Sequence, residues 1–390
     1  MKNIFSISIF VLLVSVANFL KAQFSTDSLN GQSKSPNTVN TAVPFLRITP
    51  DARSGAMGDV GIALSPDANS IYWNASKLAF SPSDVGLSIT YTPWLRALVK
   101  DIYLAHISGY NKIDKNQAIA GSLRYFSLGN IQFTNYLGQD QGQFKPFEMA
   151  LDVAYARQLS RTLSGGITLK YVYSNLAKGQ NTANGVAKAG TAAAADISFF
   201  YRSMSHIMSK KSQTNFGLVL SNIGSKVSYS EDKRKDFIPI NLGIGGATII
   251  EIDDHNSFTF AIDINKLLVP TPDTIDANAD GTSDYREKSV VSGILGSFGD
   301  APRGMSEEFE ELMYSVGAEY LYNKQFAFRL GYYNEHKLKG NRKFFTLGIG
   351  LKYNIFSINL SFLVPTVAGQ RNPLDNTLRF SMLFDFDDLK

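Results

Sequence analysis

The chain has 390 residues, 38 Lys and Arg against 34 Asp and Glu, a formal charge of +4, 12% aromatic residues, 18% charged residues and 31 glycines. Charge this close to balance offers nothing to a nucleic acid or another polyanion. The lack of cysteine excludes a disulfide frame, a thiol nucleophile and a lipid-bearing cysteine anchor.

Met1-Lys2-Asn3 is a short basic start, Ile4 to Phe19 is mostly apolar, and Leu20-Lys21-Ala22 ends on a small residue. Residues 1–22 are therefore expected to be a secretory signal peptide, the apolar run being short for an anchor helix. Residues 23–40, polar and rich in Ser and Asn, read as a flexible linker.

Residues 41–84 differ in character. Pro50-Asp51-Ala52-Arg53-Ser54 nearly repeats as Pro66-Asp67-Ala68-Asn69-Ser70. In each repeat a hydroxyl residue, Thr49 or Ser65, precedes Pro and Asp. This predicts two short helical turns, each capped by the hydroxyl with the acid near the positive dipole end. Gly55, Gly58 and Gly61 would join them. Such a segment needs something to pack against, either the inside of a barrel as a plug or its periplasmic mouth as a cap.

From residue 85 onward the pattern is period-2 alternation. Phe326, Phe328, Leu330 and Tyr332 share one parity, as do Leu347, Ile349, Leu351 and Tyr353, and as do Leu378, Phe380, Met382, Phe384 and Phe386. Fourteen strands are expected, at 85–94, 100–110, 117–129, 147–159, 163–175, 189–202, 214–226, 238–251, 256–267, 313–323, 325–336, 343–354, 356–366 and 376–386. Most are ten residues or longer, where soluble strands average about five or six and tilted membrane strands need about 9–11. Arg124, Asp152, Lys170, Asp196, Asp263, Glu319, Arg329, Lys352, Arg379 and Asp385 fall on the polar parity. Lipid contact would enforce that bias, because a charge facing the bilayer midplane costs about 2–4 kcal/mol. Arg157 is on the apolar parity, close to a strand end.

Connections alternate long and short, with 203–213 of middling length as the exception. The pattern predicts an all-β transmembrane antiparallel barrel spanning 85–386, short turns at one end and long external loops at the other, and both termini periplasmic. A large soluble β-sandwich is the rival, and it leaves the one-sided Phe and Tyr unexplained. About fourteen strands leave room inside for residues 41–84. Asp51, Arg53, Met57, Gly58, Asp67, Trp73 and Asn74 are the expected plug residues.

The longest connection, 268–312, holds two further motifs. Asp276, Asn278, Asp280, Thr282, Asp284 and Glu287 stand at calcium-loop spacing, with Gly281 at the turn. They predict a structural Ca2+ site; a solvated Asp/Asn/Gly turn is the alternative, Ser283 standing where an aliphatic residue is usual. Val290, Val291, Ile294, Leu295 and Phe298 then form an apolar cluster, and 305–312 resembles a short capped helix carrying Phe309. Val291, Ile294, Leu295, Phe298 and Phe309 are candidates for a partner surface, or for a lid folded over the lumen; the two are compatible. His106, His206, His255 and His336 are scattered, at positions expected to be interface or loop, and no catalytic constellation is present. Gly243–Gly246 and Gly348–Gly350 lie within strand patterns and read as packing glycines. Trp94, after Pro93, is expected in an interfacial aromatic girdle.

The run PFLRITPDARSGAMGDVGIALSPDANSIYWNASKLAF, with KLLVPTP before the longest loop and SVVSGILGSFGDAPRGMSEEFEEL within it, resembles the PorV (LptO) family over essentially the whole mature chain. Asn74-Ala75-Ser76 departs from the Asn-Pro-Ala usual in FadL-like relatives. The resemblance implies a FadL-like fourteen-stranded barrel in the outer membrane of Bacteroidetes, serving the type IX secretion system. It implies a non-enzymatic protein that needs no cofactor and is embedded in outer-membrane lipid. Its implied partners are a SprA-type translocon, secreted proteins carrying the type IX C-terminal domain, and an attachment complex of PorU, PorQ and PorZ type. The alternatives are a FadL-like transporter of hydrophobic small molecules and a passive porin, the latter weakened by residues 41–84.

Overall fold

The computed structural model describes residues 37–95, 99–134, 137–179, 181–182, 185–230, 234–272, 276–277, 279, 282–366 and 377–386. The expected signal peptide and residues 23–36 of the linker lie outside them.

Fourteen antiparallel strands close into a barrel. In chain order they are β1 (Val85–Pro93), β2 (Ile102–Asp114), β3 (Gln117–Leu128), β6 (Phe147–Gln158), β7 (Leu163–Asn175), β10 (Gly190–Ile207), β11 (Lys210–Gly224), β12 (Asn241–Glu251), β13 (Asn256–Leu267), β14 (Met313–Tyr322), β15 (Phe326–Asn334), β16 (Lys343–Tyr353), β17 (Phe356–Pro365) and β18 (Leu378–Phe386). Two hairpins stand in long connections, β4 (Ile131–Thr134) with β5 (Asp140–Phe144) and β8 (Asn181–Thr182) with β9 (Gly185–Val186). The ring closes where Val85 faces Phe386 and Tyr91 faces Phe380, so no strand edge is left to meet hydrocarbon. Among the described residues no helix is long and apolar enough to cross a membrane.

All fourteen expected strands are present, but β10 and β11 run further than expected. The connection between them is not a loop of middling length: β10 ends at Ile207, β11 starts at Lys210, and Met208 and Ser209 both have positive φ, at 50° and 62°. Positive φ at both central residues is the two-residue hairpin turn that matches strand twist. With that correction every connection at this end is short, and the alternation is complete.

Parity separates the two walls. Leu87, Ile89 and Tyr91 of β1 are exposed outward, while Ser88, Thr90 and Thr92, on the other parity, are buried inward. Eight of the ten charges expected on the polar parity are buried inside: Arg124, Asp152, Lys170, Asp196, Asp263, Glu319, Arg329 and Arg379. Lys352 and Asp385 instead sit near the short-turn end, where they pair at 3.0 Å. Arg157 faces outward near the end of β6, as parity placed it. On the outer wall Tyr91, Tyr103, Tyr125, Phe147 and Tyr173 follow one another across five adjacent strands, with centroid separations of 5.5, 6.2, 5.5 and 5.8 Å. This is an interfacial girdle at the long-loop end. Trp94 is not part of it, contrary to expectation: it packs inward on the cluster built around Phe45, Leu46 and Ile238. His106, expected at an interface or in a loop, is buried in the inner wall beside Arg124 and Asp152.

Candidate functional site

Residues 37–84 touch strands on opposite sides of the closed ring, which places them within the lumen. Arg124 of β3 donates to the Leu46 carbonyl at 3.2 Å. Asp263 of β13 accepts the Gly61 and Ile62 amides at 2.7 and 3.0 Å. Thr346 of β16 accepts the Gly58 amide at 2.8 Å, and Ser381 of β18 accepts that of Ala52 at 2.8 Å. Around Ile62 the wall is made of Gly217, Gly243 and Gly245, where a Cβ would come within 2.6–2.7 Å of this side chain. The closest seat is Gly331, where a Cβ would fall 1.9 Å from the Gly58 nitrogen. These strand glycines let two backbones meet, which is the packing role expected of Gly243–Gly246 and Gly348–Gly350.

All seven expected plug residues take part. Asp51, fully buried, accepts the Ser54 amide at 2.8 Å and the Trp73 indole N–H at 2.7 Å. Arg53 reaches Asp67 and Glu319, both at 3.3 Å. Met57 lies beneath Gly317, and Asn74 donates to the carbonyls of Ile62 at 3.1 Å and Phe199 at 3.0 Å. The caps differ from the expected ones: Asp51, not Thr49, accepts the first-turn amide of Ser54, while the turn Ser70–Trp73 has no side-chain cap, Asp67 accepting the amide of Asn69 just ahead of it. At Asp51 the carboxylate reaches the N–H group and adds its charge to the dipole interaction. Ala75 opens the 3-10 turn Ala75–Phe80 behind the capping Asn74, a first-turn position at which the Pro usual in FadL-like relatives would also fit. Lys77 is wholly buried and donates to the Gly61 carbonyl at 2.6 Å; burial pushes its pKa down to about 8.

On the long-loop side of the plug lie two adjoining cavities, of ≈ 140 and ≈ 320 Å³, which share Pro44, Arg47, Met313 and Arg342. The connection 268–312 covers this end with three short helices, Asp284–Glu287, Val290–Gly296 and Met305–Glu310. Met305–Glu310 is inverted relative to an ordinary surface helix. Two of its three carboxylates point into the protein, where Glu307 meets Lys339 at 2.6 Å and Glu308 meets Lys266 at 2.8 Å, while Glu310 pairs with Arg303 nearer the surface. Glu311, just beyond, joins Lys266, Lys339 (2.9 Å) and Thr271 (3.0 Å). Glu307 also accepts from the Asn37 side chain at 3.3 Å, tying the helix to the start of the plug segment. Burial works against the ionised Glu307, but Lys339 and Arg303 hold its carboxyl below the usual range.

With Glu307 and Glu308 turned inward, the helix shows Met305 and Phe309 outward, 61% and 63% exposed. Val291 and Leu295, one turn apart on Val290–Gly296, are exposed likewise, as is Phe298. Ile294 departs from the expected surface set: it packs inward on the cluster containing Phe237, next to Gly293. Met305 was missed in the sequence because it reads as the start of a helix, not as part of an apolar run. The candidate calcium loop is described only in part. Asn278, Asp280 and Gly281 lie outside the described residues. Asp284 and Glu287 begin and end one helical turn, and Asp284 accepts the Ala277 amide at 3.1 Å. Among the described residues no cluster of three His, Asp or Glu is disposed to hold a metal.

A family model described as the type IX secretion system protein PorV matches residues 31–274, more than half of the chain. Among solved structures, the toluene transporter TodX of Pseudomonas putida is similar over 87% of this chain and 99% of its own, at 12% identity and a TM-score of 0.48. The Ralstonia pickettii toluene transporter TbuX is similar over 87% and 99%, at 11% identity and a TM-score of 0.44. A Pseudomonas aeruginosa FadL homologue is similar over 90% and 100%, at 10% identity and a TM-score of 0.42. Curated proteins give no match.

Proposed function

Because the chain belongs to the PorV family of type IX secretion system proteins, and is an outer-membrane β-barrel, we propose that it is the cargo-receiving component of that system. It binds secreted proteins by their C-terminal secretion domain at a SprA-type translocon. It then passes them to the attachment complex of PorU, PorQ and PorZ type. The role is one of binding, with no reaction catalysed, and both chain ends face the periplasm.

The observation that carries this reading is the inverted helix Met305–Glu310 above a stoppered lumen. Exposing Met305 and Phe309 to water has a cost, and the same helix could have shown its glutamates instead. Burying the glutamates against Lys266 and Lys339 fixes the apolar face outward, which suits a surface that a partner covers. Below it the plug is seated on strand backbone at Gly331 and around Ile62, so a route through the lumen would require unseating it.

Deletion of the gene tests the reading. Proteins bearing the secretion domain should accumulate in the periplasm and vanish from the cell surface. Normal secretion with a selective failure to grow on long-chain lipids would replace this reading with hydrophobic-compound transport.

A further inference from the structure

The cavities on the loop side of the plug carry guanidinium groups that the protein does not fully match. Lys170 is satisfied by Asp196 at 2.7 Å, and Lys339 by Glu307 and Glu311. Arg47, by contrast, has no carboxylate partner among the described residues; its Nη2 rests against Met313 Sδ. Arg379 is 1% exposed, reaches Asp59 at 3.4 Å through Nη2, and has its Nε and Nη1 sealed away from the cavity, Nη1 against Gly55 of the plug, so it adds positive charge behind the wall and no free donor. Arg342 holds Glu335 with Nε at 2.8 Å and Nη2 at 3.0 Å. Arg47 and Arg342 border both cavities, and Arg379 borders the inner one. Arg47 is thus a half-buried guanidinium facing both cavities with no carboxylate on it, and a carboxylate is the planar acceptor its fork fits.

The shape and lining select the kind of carboxylate. The inner cavity, ≈ 140 Å³, has room for on the order of ten water molecules. That accommodates the last residue or two of a peptide, not an extended long acyl chain. Its wall includes Asn241 and Asn265, which can bond peptide groups, beside the apolar Trp94 and Met313. The outer cavity has an exposed rim at Thr38, Asn40 and Pro44, through which a chain end could enter. We propose that this vestibule captures the C-terminal carboxylate of a polypeptide, with Arg47 gripping it at the boundary of the two cavities and Arg342 beside it. The proposal rests on the cargo-receiving reading, which brings a C-terminal domain to this end of the barrel.

Both tryptophans of the chain, Trp73 and Trp94, line the inner cavity, so intrinsic fluorescence reports on its occupancy. The purified protein in detergent micelles is titrated with an N-acetylated tetrapeptide of small apolar residues ending in a free carboxylate. The same peptide as its C-terminal amide, palmitate, and inorganic phosphate are titrated in parallel. The free acid should shift the emission and bind at least tenfold more tightly than the amide. Arg47→Gln should remove that preference and Arg47→Lys should retain part of it, with heat-modifiable gel mobility confirming that both variants are folded. Equal binding of acid and amide, or binding of neither at millimolar concentration, overturns the proposal. So does palmitate displacing the peptide, which would make the ligand an acyl acid, or phosphate alone reproducing the shift, which would make it a general anion site. If gene deletion traps cargo while acid and amide bind alike, only the vestibule assignment falls. If secretion survives deletion, the cargo reading itself falls, whatever the peptides do.

Discussion

Two parts of this protein close the same barrel by opposite means. The plug, residues 51–80, is sealed inside the lumen: amides donate to Asp263, Thr346 and Ser381, strand glycines let backbone lie on backbone, and Arg53 pairs with Glu319 out of water. The cover, residues 300–311, is held by charge: Glu307, Glu308 and Glu311 reach down to Lys266 and Lys339. Backbone packed on backbone fails when an atom is added, and ion pairs sealed beside it fail when one partner is removed. A charge-held contact tolerates added atoms and fails when protons or ions intervene. The division gives the molecule a fixed floor and a conditional roof.

The sharpest test of the floor removes a charge on which it rests. Asp152 is fully buried and pairs with Arg124 at 3.2 Å, and Arg124 in turn donates to the Leu46 carbonyl and lies 5.0 Å from the Tyr72 ring centroid. Asp152→Ala leaves that guanidinium buried without its counter-ion, at a cost of about 3–5 kcal/mol. Thermal denaturation in detergent should show the largest loss of the set; an unchanged Tm would mean that the plug does not depend on this pair. Gly331→Ala comes next. Its methyl would lie 1.9 Å from the Gly58 nitrogen, so strand or plug must shift, at about 1–3 kcal/mol. Proteolysis should then cut within residues 51–64, which stay protected in the parent protein. A Gly331→Ala barrel with a protected plug would show that the contact is softer than its geometry.

How much of this was legible in the sequence follows from what sets each feature. The outer wall was readable because lipid acts on every second residue, and it selected Ile89, Leu218 and Phe328 as strictly as it excluded Arg124 and Asp263 from the same face. The plug's existence was readable from its two Pro-Asp-Ala turns, and its residues from their departure from strand patterning. Its seats were not, because the glycine at 331 looks like any strand glycine until Gly58, 273 positions away, is brought against it. Trp94 was misplaced for a related reason: following Pro93 at a strand end, it fits a girdle and a vestibule equally well, and only the packing of Phe45 and Leu46 decides. Met208-Ser209 was hidden because neither residue announces positive φ as Asn-Gly would. The vestibule was illegible altogether, being assembled around Arg47 and Arg342, which no spacing connects.

The roof should answer to pH where the floor does not. Lys339 and Arg303 hold the Glu307 carboxyl below its ordinary value. A depressed carboxylate pKa contributes stability that is fully present above the unfolded value of about 4.5 and is lost as pH falls through the folded one. Amide exchange of residues 303–311 should therefore be slow at pH 7 and speed up several-fold below pH of about 4, after correction for intrinsic rates, while that of 52–63 stays slow. Lys339→Met should produce the same loosening at pH 7. Parallel loosening of both segments would abolish the distinction between floor and roof.

The smallest effect on stability belongs to the residues that the roof displays. Phe309→Ser alters a side chain that is 63% exposed, and Leu295→Ser one that is 71% exposed. Surface changes away from buried features stay within about 0.5 kcal/mol, so neither variant should change the Tm or the exchange of 303–311. Their consequence should fall on association instead. Truncating an apolar anchor at the centre of an interface costs about 2 kcal/mol or more, whereas rim residues cost little. The Phe309→Ser/Leu295→Ser double variant should therefore retain at least tenfold less secretion-domain protein when barrel and cargo are mixed at fixed concentration. The contrast with Asp152→Ala is what makes the result informative: one change weakens the barrel, the other only what the barrel holds. Full cargo retention by the double variant would move the docking surface to another connection, with 130–146 and its β4–β5 hairpin the first to examine.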